Sequence, residues 1–209
     1  MTEIEFRSGS SSVDARAEGD KRTLAGYAVV WNSDAQIGDA FIERIAPGAF
    51  SAAIRGDVLA LVSHDYSRVI GRTKSGTLRL SEDDRGLKVE IDVPNTSDGN
   101  DLWELVGRKD IAGMSFGFRA TKQEWDDTGD VPHRTVIEAE LYEVTATPIP
   151  AYPDTTLAAR SLEAARAEAD KAKADADKRA ENAAAAQRRL AQKRMTLAQR
   201  IRGIRQDAT

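Results

Sequence analysis

The sequence predicts a mainly β (α+β) domain, a compact and largely antiparallel β-barrel ringed by a few helices, with one long α-helix at the C-terminus. Three observations carry this reading. Short runs of β-branched, aromatic or alternating apolar residues recur between turn residues, from Leu24 to Thr147. The strand–helix–strand rhythm of a parallel sheet is absent. After Thr156 the composition turns to alanine and charge, with no proline and with Gly203 the one glycine.

The elements follow in order. Residues 1–22 read as a flexible leader: residues 8–22 are small, polar and charged, at most a loose hairpin, and the first seven lack the apolar core of a secretory signal. Leu24–Trp31 and Phe41–Ile45 read as strands, with a turn over Ala46–Phe50 and one or two helical turns over Phe50–Arg55. Asp57–Ser63 is nearly continuously apolar, as in a strand covered on both faces, and His64 follows it. Val69–Thr73 is a further short strand, and Thr77–Leu80 and Leu87–Val93 alternate with period two about a hairpin connection. Leu102, Leu105 and Val106 share one helical face, which predicts a helix over 100–108. Ile111–Phe118 and Val136–Thr147 are strands, the second with room for a bulge, and Pro148, Pro150 and Pro153 fix an irregular exit.

The chain therefore divides into the leader, a domain over 23–156 and an alanine-rich, basic, coiled-coil-like tail over 157–209. The net charge of −4 conceals this split: the tail holds 13 Lys+Arg against 7 Asp+Glu, and the remainder 17 against 27. Every seventh residue from Leu162 is apolar, namely Ala169, Ala176, Ala183, Leu190, Leu197 and Ile204, whereas the second seam includes Arg179 and Lys193. That is a thin stripe, suited to pairing with another helix, including a second copy of itself. The tail has no aromatic residues to stack on bases, and with the acidic main domain this argues against a nucleic-acid partner. No apolar run approaches the roughly 18–20 residues of a membrane span, so no membrane is expected. With no cysteine and two histidines, disulfides, a thiol nucleophile, thiolate metal sites and a three-histidine metal site are excluded; no cofactor or metal is expected.

Chemistry concentrates at Ile111-Ala-Gly-Met-Ser-Phe-Gly-Phe118, where Ser115 stands between Gly113 and Gly117. Glycine in a strand marks a bulge or a close approach of backbone, and a serine there has room to meet a peptide. An alcohol needs a neighbouring base; His64 is the candidate. A carboxylate would orient the imidazole, with Glu138, Glu140, Glu143 and Asp65 available. Asp65 ranks last, because neighbouring side chains on a strand face opposite ways. The G-x-S-x-G spelling also fits the nucleophile elbow of α/β-hydrolases, but that order needs a histidine after the serine. His133, in the polar loop 126–134, is the one that follows, and no βα unit precedes Ser115.

Glu43-Arg-Ile-Ala-Pro-Gly-Ala-Phe50, Ser63-His-Asp65 with Ile70-Gly-Arg-Thr73, Gly86-Leu87, Gly113-Met-Ser-Phe-Gly-Phe118, and Leu141-Tyr-Glu-Val-Thr145 with Pro150-Ala-Tyr-Pro153 occur in this order. Together they resemble the HK97-type prohead proteases of tailed bacteriophages, a family related in fold to the herpesvirus assemblins. The resemblance, over roughly Leu24 to Leu157, implies a serine endopeptidase with His64 and Ser115 catalytic. It favours Glu143 as third member, since the related viral enzymes place theirs on that strand, with Glu140 and Glu138 next. It further implies action inside the phage prohead, in the host bacterial cytoplasm, on scaffold and/or the N-terminal region of the major capsid protein, and on the enzyme itself. Backbone N–H groups within 148–153 are candidates for an oxyanion hole. The rival expectation is a non-catalytic scaffold or assembly protein carrying a degenerate protease domain.

Overall fold

A computed structural model describes residues 4–148 and 155–206 of the chain. Its strands are β1 (Glu5–Glu18), β2 (Lys21–Val30), β3 (Ala35–Ile37), β4 (Phe41–Ile45), β5 (Leu59–Val62), β6 (Asp65–Arg72), β7 (Leu78–Glu82), β8 (Gly86–Asp92), β9 (Gly113–Asp126) and β10 (His133–Thr147). Helix α1 spans Ser97–Gly107 and helix α2 Thr155–Gln206; a 3₁₀ turn at Ala53–Arg55 is the helical part of the segment expected over Phe50–Arg55. The helix expected to open at residue 100 opens three residues earlier, because Thr96 Oγ1 accepts from the Gly99 N–H and Asp98 lies in the positive first turn.

The strands form one ten-stranded sheet in the order β3-β4-β10-β9-β1-β2-β8-β7, with β5 joined to β10 and β6 to β5. β10 is the organising strand. It pairs antiparallel with β9 along most of its length, parallel with β4 at its start and parallel with β5 at its end. The expected barrel is a curled but open sheet: among the described residues no ladder joins its ends. The curl brings β6 close to β7 and β8, where a Cβ on Gly71 would lie 3.1 Å from Ile91 Cγ2 and 3.2 Å from the Thr77 carbonyl. The core inside the curl is built on Phe50, whose ring meets Phe116 at 5.9 Å and Phe118 at 6.3 Å. Leu24, Val29, Leu87, Val89 and Ile91 are buried with them.

The chief departure from expectation is the N-terminus. Residues read as leader include β1, which lies between β9 and β2 in the middle of the sheet. Its first residues alternate like any strand, but the inward positions carry charge, which is why the sequence reads as unstructured. Glu5 and Arg7 belong to a buried ion network with Glu43 of β4 and Arg134 of β10. Arg134 donates to Glu5 at 2.6 and 2.8 Å and to Glu43 at 2.7 Å, and Arg7 donates to Glu5 at 2.6 Å and to Glu43 at 2.8 Å. Gln123 accepts from Arg134 Nε at 2.7 Å. Burial alone would raise the Glu5 carboxyl, but hydrogen bonds and charge from Arg134, then Arg7, hold it below its ordinary 4.5.

The chain divides into two units, Met1–Arg160 and Ser161–Thr209. In the second, Ala169, Ala176 and Ala183 of the thin heptad stripe are exposed on α2. No helix of the described residues is long and apolar enough to cross a membrane.

Removing one partner of a buried ion network leaves the others charged and unpaired, at a cost of about 3–5 kcal/mol. Arg134→Met should cost this much at pH 7 in denaturant unfolding. The depressed carboxyl of Glu5 contributes stability that is present above its ordinary 4.5 and is lost as pH falls towards its folded value. The gap between the native chain and Arg134→Met should therefore narrow as the unfolding is repeated at progressively lower pH below 4.5.

Candidate active site

Three strands and one turn build the site. Ser115 is in β9, and its neighbours across the sheet are Thr145 of β10 and Ser8 of β1. Two residues on, and so on the same face, Gly117 lies opposite Glu143 of β10 and Phe6 of β1. The register that puts Glu143 there depends on a bulge. Leu141 pairs with Phe118 and Glu143 with Gly117, so Tyr142 is the extra residue. Without it Glu143 would fall opposite Phe116, on the opposite face. With it, Leu141 and Val144 line up with Phe118 and Phe116, while Glu143 and Thr145 line up with Gly117 and Ser115.

His64 comes from the turn between β5 and β6. Val62 pairs with Asp65, so Ser63 and His64 form a two-residue hairpin connection. Both have positive φ, 51° and 60°, the requirement of the tight turn that suits a right-twisted hairpin. Asparagine and glycine are the usual occupants; side chains here cost backbone strain of order 1–3 kcal/mol each. The turn is tied to β10: the Ser63 N–H donates to the Ala146 carbonyl at 3.2 Å and the His64 N–H to Thr145 Oγ1 at 3.0 Å.

The His64 ring then meets Glu143, with Nδ1 2.9 Å from Glu143 Oε1. An ionised carboxylate only accepts, so Nδ1–H donates to it; in the neutral imidazole Nε2 then carries the lone pair. The Phe6 ring packs edge-on against the imidazole at 4.9 Å. Glu143 is fully buried, and burial pushes its carboxyl above the ordinary range, against the hydrogen bond and charge of His64. Gly117 makes the space: a Cβ there would lie 2.7 Å from Glu143 Oε1 and 3.0 Å from the Phe6 ring.

Ser115 is fully buried, and its Oγ is 2.8 Å from Ser8 Oγ. His64 Nε2 is buried with no hydrogen-bond partner among the described residues, so the serine and the imidazole are not hydrogen-bonded in this conformation. Contacts of this kind are often loose in a free enzyme and tighten when substrate binds.

Of the other candidate carboxylates, Glu140 accepts from Arg119 and Tyr142, Glu138 pairs with Lys122, and Asp65 accepts from Ser67. None of these contacts is with His64. Two nearby arginines that could have paired with Glu143 are engaged elsewhere, Arg119 with Glu140 and Arg72 with Asp57. His133 is the first residue of β10, opposite Asp126, at the end of the hairpin away from Glu143. In the candidate oxyanion segment, residues 149–153 lie outside the described residues. Sequence reasoning missed Phe6, Ser8 and Thr145. The alternation of Glu5, Phe6, Arg7 and Ser8 was the available signal for the first two.

The chain matches the family model of the caudovirus prohead serine protease over residues 10–168. It is 30% identical over 98 residues to the prohead protease of Escherichia phage T5, a stretch that covers 47% of this chain and 43% of that relative. The chain thus spans less than half the length of that curated relative. No solved structure matches.

Two substitutions probe the arrangement. Gly117→Ala places a methyl in the volume of the Glu143 carboxylate and should cost about 1–3 kcal/mol of stability while displacing the His64–Glu143 contact, seen as a shift of the imidazole NMR resonances. Glu143→Gln removes a carboxyl whose folded value is raised, a group that stabilises at low pH and loses that contribution as pH rises. At neutral pH its melting temperature should equal or exceed that of the native chain, even though the site is altered.

Proposed function

This chain belongs to the caudovirus prohead serine protease family, and on that premise we propose that it is a serine endopeptidase of prohead maturation, with Ser115 as nucleophile, His64 as general base and Glu143 as the group that orients it. The observation that carries the assignment is the 2.9 Å contact of His64 Nδ1 with a fully buried Glu143, on the same sheet face as the strand serine. A buried carboxylate on one imidazole nitrogen has a chemical use: it fixes the tautomer and stabilises the imidazolium as it forms.

The reaction is acyl transfer. Ser115 Oγ attacks the scissile carbonyl carbon while His64 Nε2 takes the hydroxyl proton. Glu143 holds the Nδ1–H throughout and remains ionised. The imidazolium then gives its proton to the leaving amine, the C–N bond breaks, and an acyl-enzyme remains on Ser115. Water, deprotonated by the same imidazole, hydrolyses the ester and restores the serine. Since Ser115 is fully buried, substrate reaches it with a local opening of its surroundings, and the Oγ to Nε2 hydrogen bond forms in that complex.

The substrates we propose are scaffold, the N-terminal region of the major capsid protein, and the chain itself, within the assembling prohead in the host cell. The exposed alanine stripe of α2 suits a packaging role, in which the tail pairs with helical segments of scaffold or of a second copy.

Co-expression of the chain with its capsid precursor and scaffold tests this reading. Ser115→Ala and His64→Ala should each leave a folded protein and abolish processing on a gel. Glu143→Gln should slow processing by about 10³–10⁴-fold, and Glu140→Gln should leave it unchanged. Normal processing by Ser115→Ala refutes the assignment.

A further inference from the structure

The N-terminal strand carries an unassigned hydroxyl against the nucleophile. We propose that Ser8 is a positioning residue for Ser115: its hydroxyl donates to Ser115 Oγ, so that the proton of Ser115 itself is left for His64. This rests on the serine protease reading above and adds a residue to it; Ser8 precedes the stretch matched by the family, which begins at residue 10.

The two oxygens are 2.8 Å apart, with each able to donate. A hydroxyl has one proton. If Ser115 spends its proton on Ser8, none is available for the imidazole; if Ser8 donates, Ser115 accepts and its O–H turns elsewhere. The second arrangement leaves the Ser115 proton for another acceptor, and two buried side-chain acceptors are without a partner among the described residues. They are His64 Nε2 and Glu143 Oε2, and in the neutral imidazole with its proton on Nδ1, Nε2 carries the lone pair. Once substrate draws Ser115 Oγ within reach of Nε2, the donors run from Ser8 to Ser115 to His64 to Glu143, each hydroxyl or N–H pointing the same way, as cooperative hydrogen bonding prefers.

The surroundings hold Ser8 firmly enough for such a role. It lies opposite Ser115 in the β1–β9 ladder, one residue from Arg7, whose guanidinium is locked between Glu5 and Glu43. β1 thus turns one face to the buried ions and the other to the site, with Phe6 on the imidazole ring and Ser8 on the nucleophile. During attack, charge builds on Ser115 Oγ as its proton departs, and a donor already aimed at that oxygen stabilises it without reorganisation. The same donor assists when Oγ leaves in hydrolysis of the acyl-enzyme. The proton of Ser8 stays on Ser8 in both steps.

The test is the rate of labelling of Ser115 by a fluorophosphonate, followed on the full-length chain by mass spectrometry across a pH series, with thermal melts of each variant. Threonine and valine are nearly isosteric and suit a strand position, so Ser8→Thr and Ser8→Val differ in the hydroxyl alone. Ser8→Thr should keep the fast labelling, whereas Ser8→Val and Ser8→Ala should be slowed about tenfold, the scale of one hydrogen bond. The midpoint of the pH profile should stay in place, since the base is untouched. Labelling of Ser8→Val as fast as Ser8→Thr, or faster, overturns the proposal, a gain meaning that the contact holds Ser115 back. If the native chain is labelled and Ser115→Ala is not, but Ser8→Val matches Ser8→Thr, only the role of Ser8 falls. If the native chain is not labelled at Ser115, the protease reading falls and this inference with it.

Discussion

The ladder between β9 and β10 is the constraint on which the site depends. It sets which face of the sheet each side chain occupies, and a single extra residue, Tyr142, reverses that assignment halfway along β10. Before the bulge the strand serves the core through Leu141; after it, Glu143 and Thr145 join Ser115 and Gly117. Thr145 then anchors the backbone of the turn that bears His64, and Glu143 anchors its ring. Two residues of one strand thereby fix both the position and the orientation of His64. The strain of a turn with two positive φ angles is tolerated because the turn is held from β10 at several points.

The opposite side of the site is made by β1, and it is held by charge. A buried network of two arginines and two glutamates is rarely the most stable way to fill a core, since apolar residues of similar volume often do as well or better. It does fix which residues of β1 face inward. A slip by one position would bury Phe6 and Ser8 among Glu43 and Arg134 and expose Glu5 and Arg7. The ions therefore select the register that sets Ser8 beside Ser115 and Phe6 beside His64.

Much of this was legible from residues alone, and the rest failed for identifiable reasons. Apolar alternation located most strands after residue 20, and the Gly113-Met-Ser-Phe-Gly117 pattern marked the strand with the serine. Glu143 stood out among its neighbours only through the resemblance, because strand periodicity without the bulge gives no reason to separate it from Glu138 and Glu140. The strand at the N-terminus was illegible, since Glu5, Arg7 and the serine-rich stretch after them resemble solvated chain; the partners that make them core residues, Glu43 and Arg134, are dozens of positions away. The barrel was overstated because closure depends on whether edge strands form a ladder, and β6 meets β7 and β8 through packing at Gly71 instead. Short β3 (Ala35–Ile37) has too few residues to show a period.

The spacing of the contacting pairs along the chain also sets a timetable. His64 and Glu143 are 79 positions apart, and Ser8 and Ser115 are 107 apart. Synthesis proceeds from the N-terminus at about 5–20 residues per second, and pairings between distant segments form slowly. A nascent polypeptide that has passed His64 and Ser115 still lacks Glu143, the partner of the His64 ring. The proposed site therefore cannot assemble until synthesis has passed residue 143, whatever the earlier segments have done.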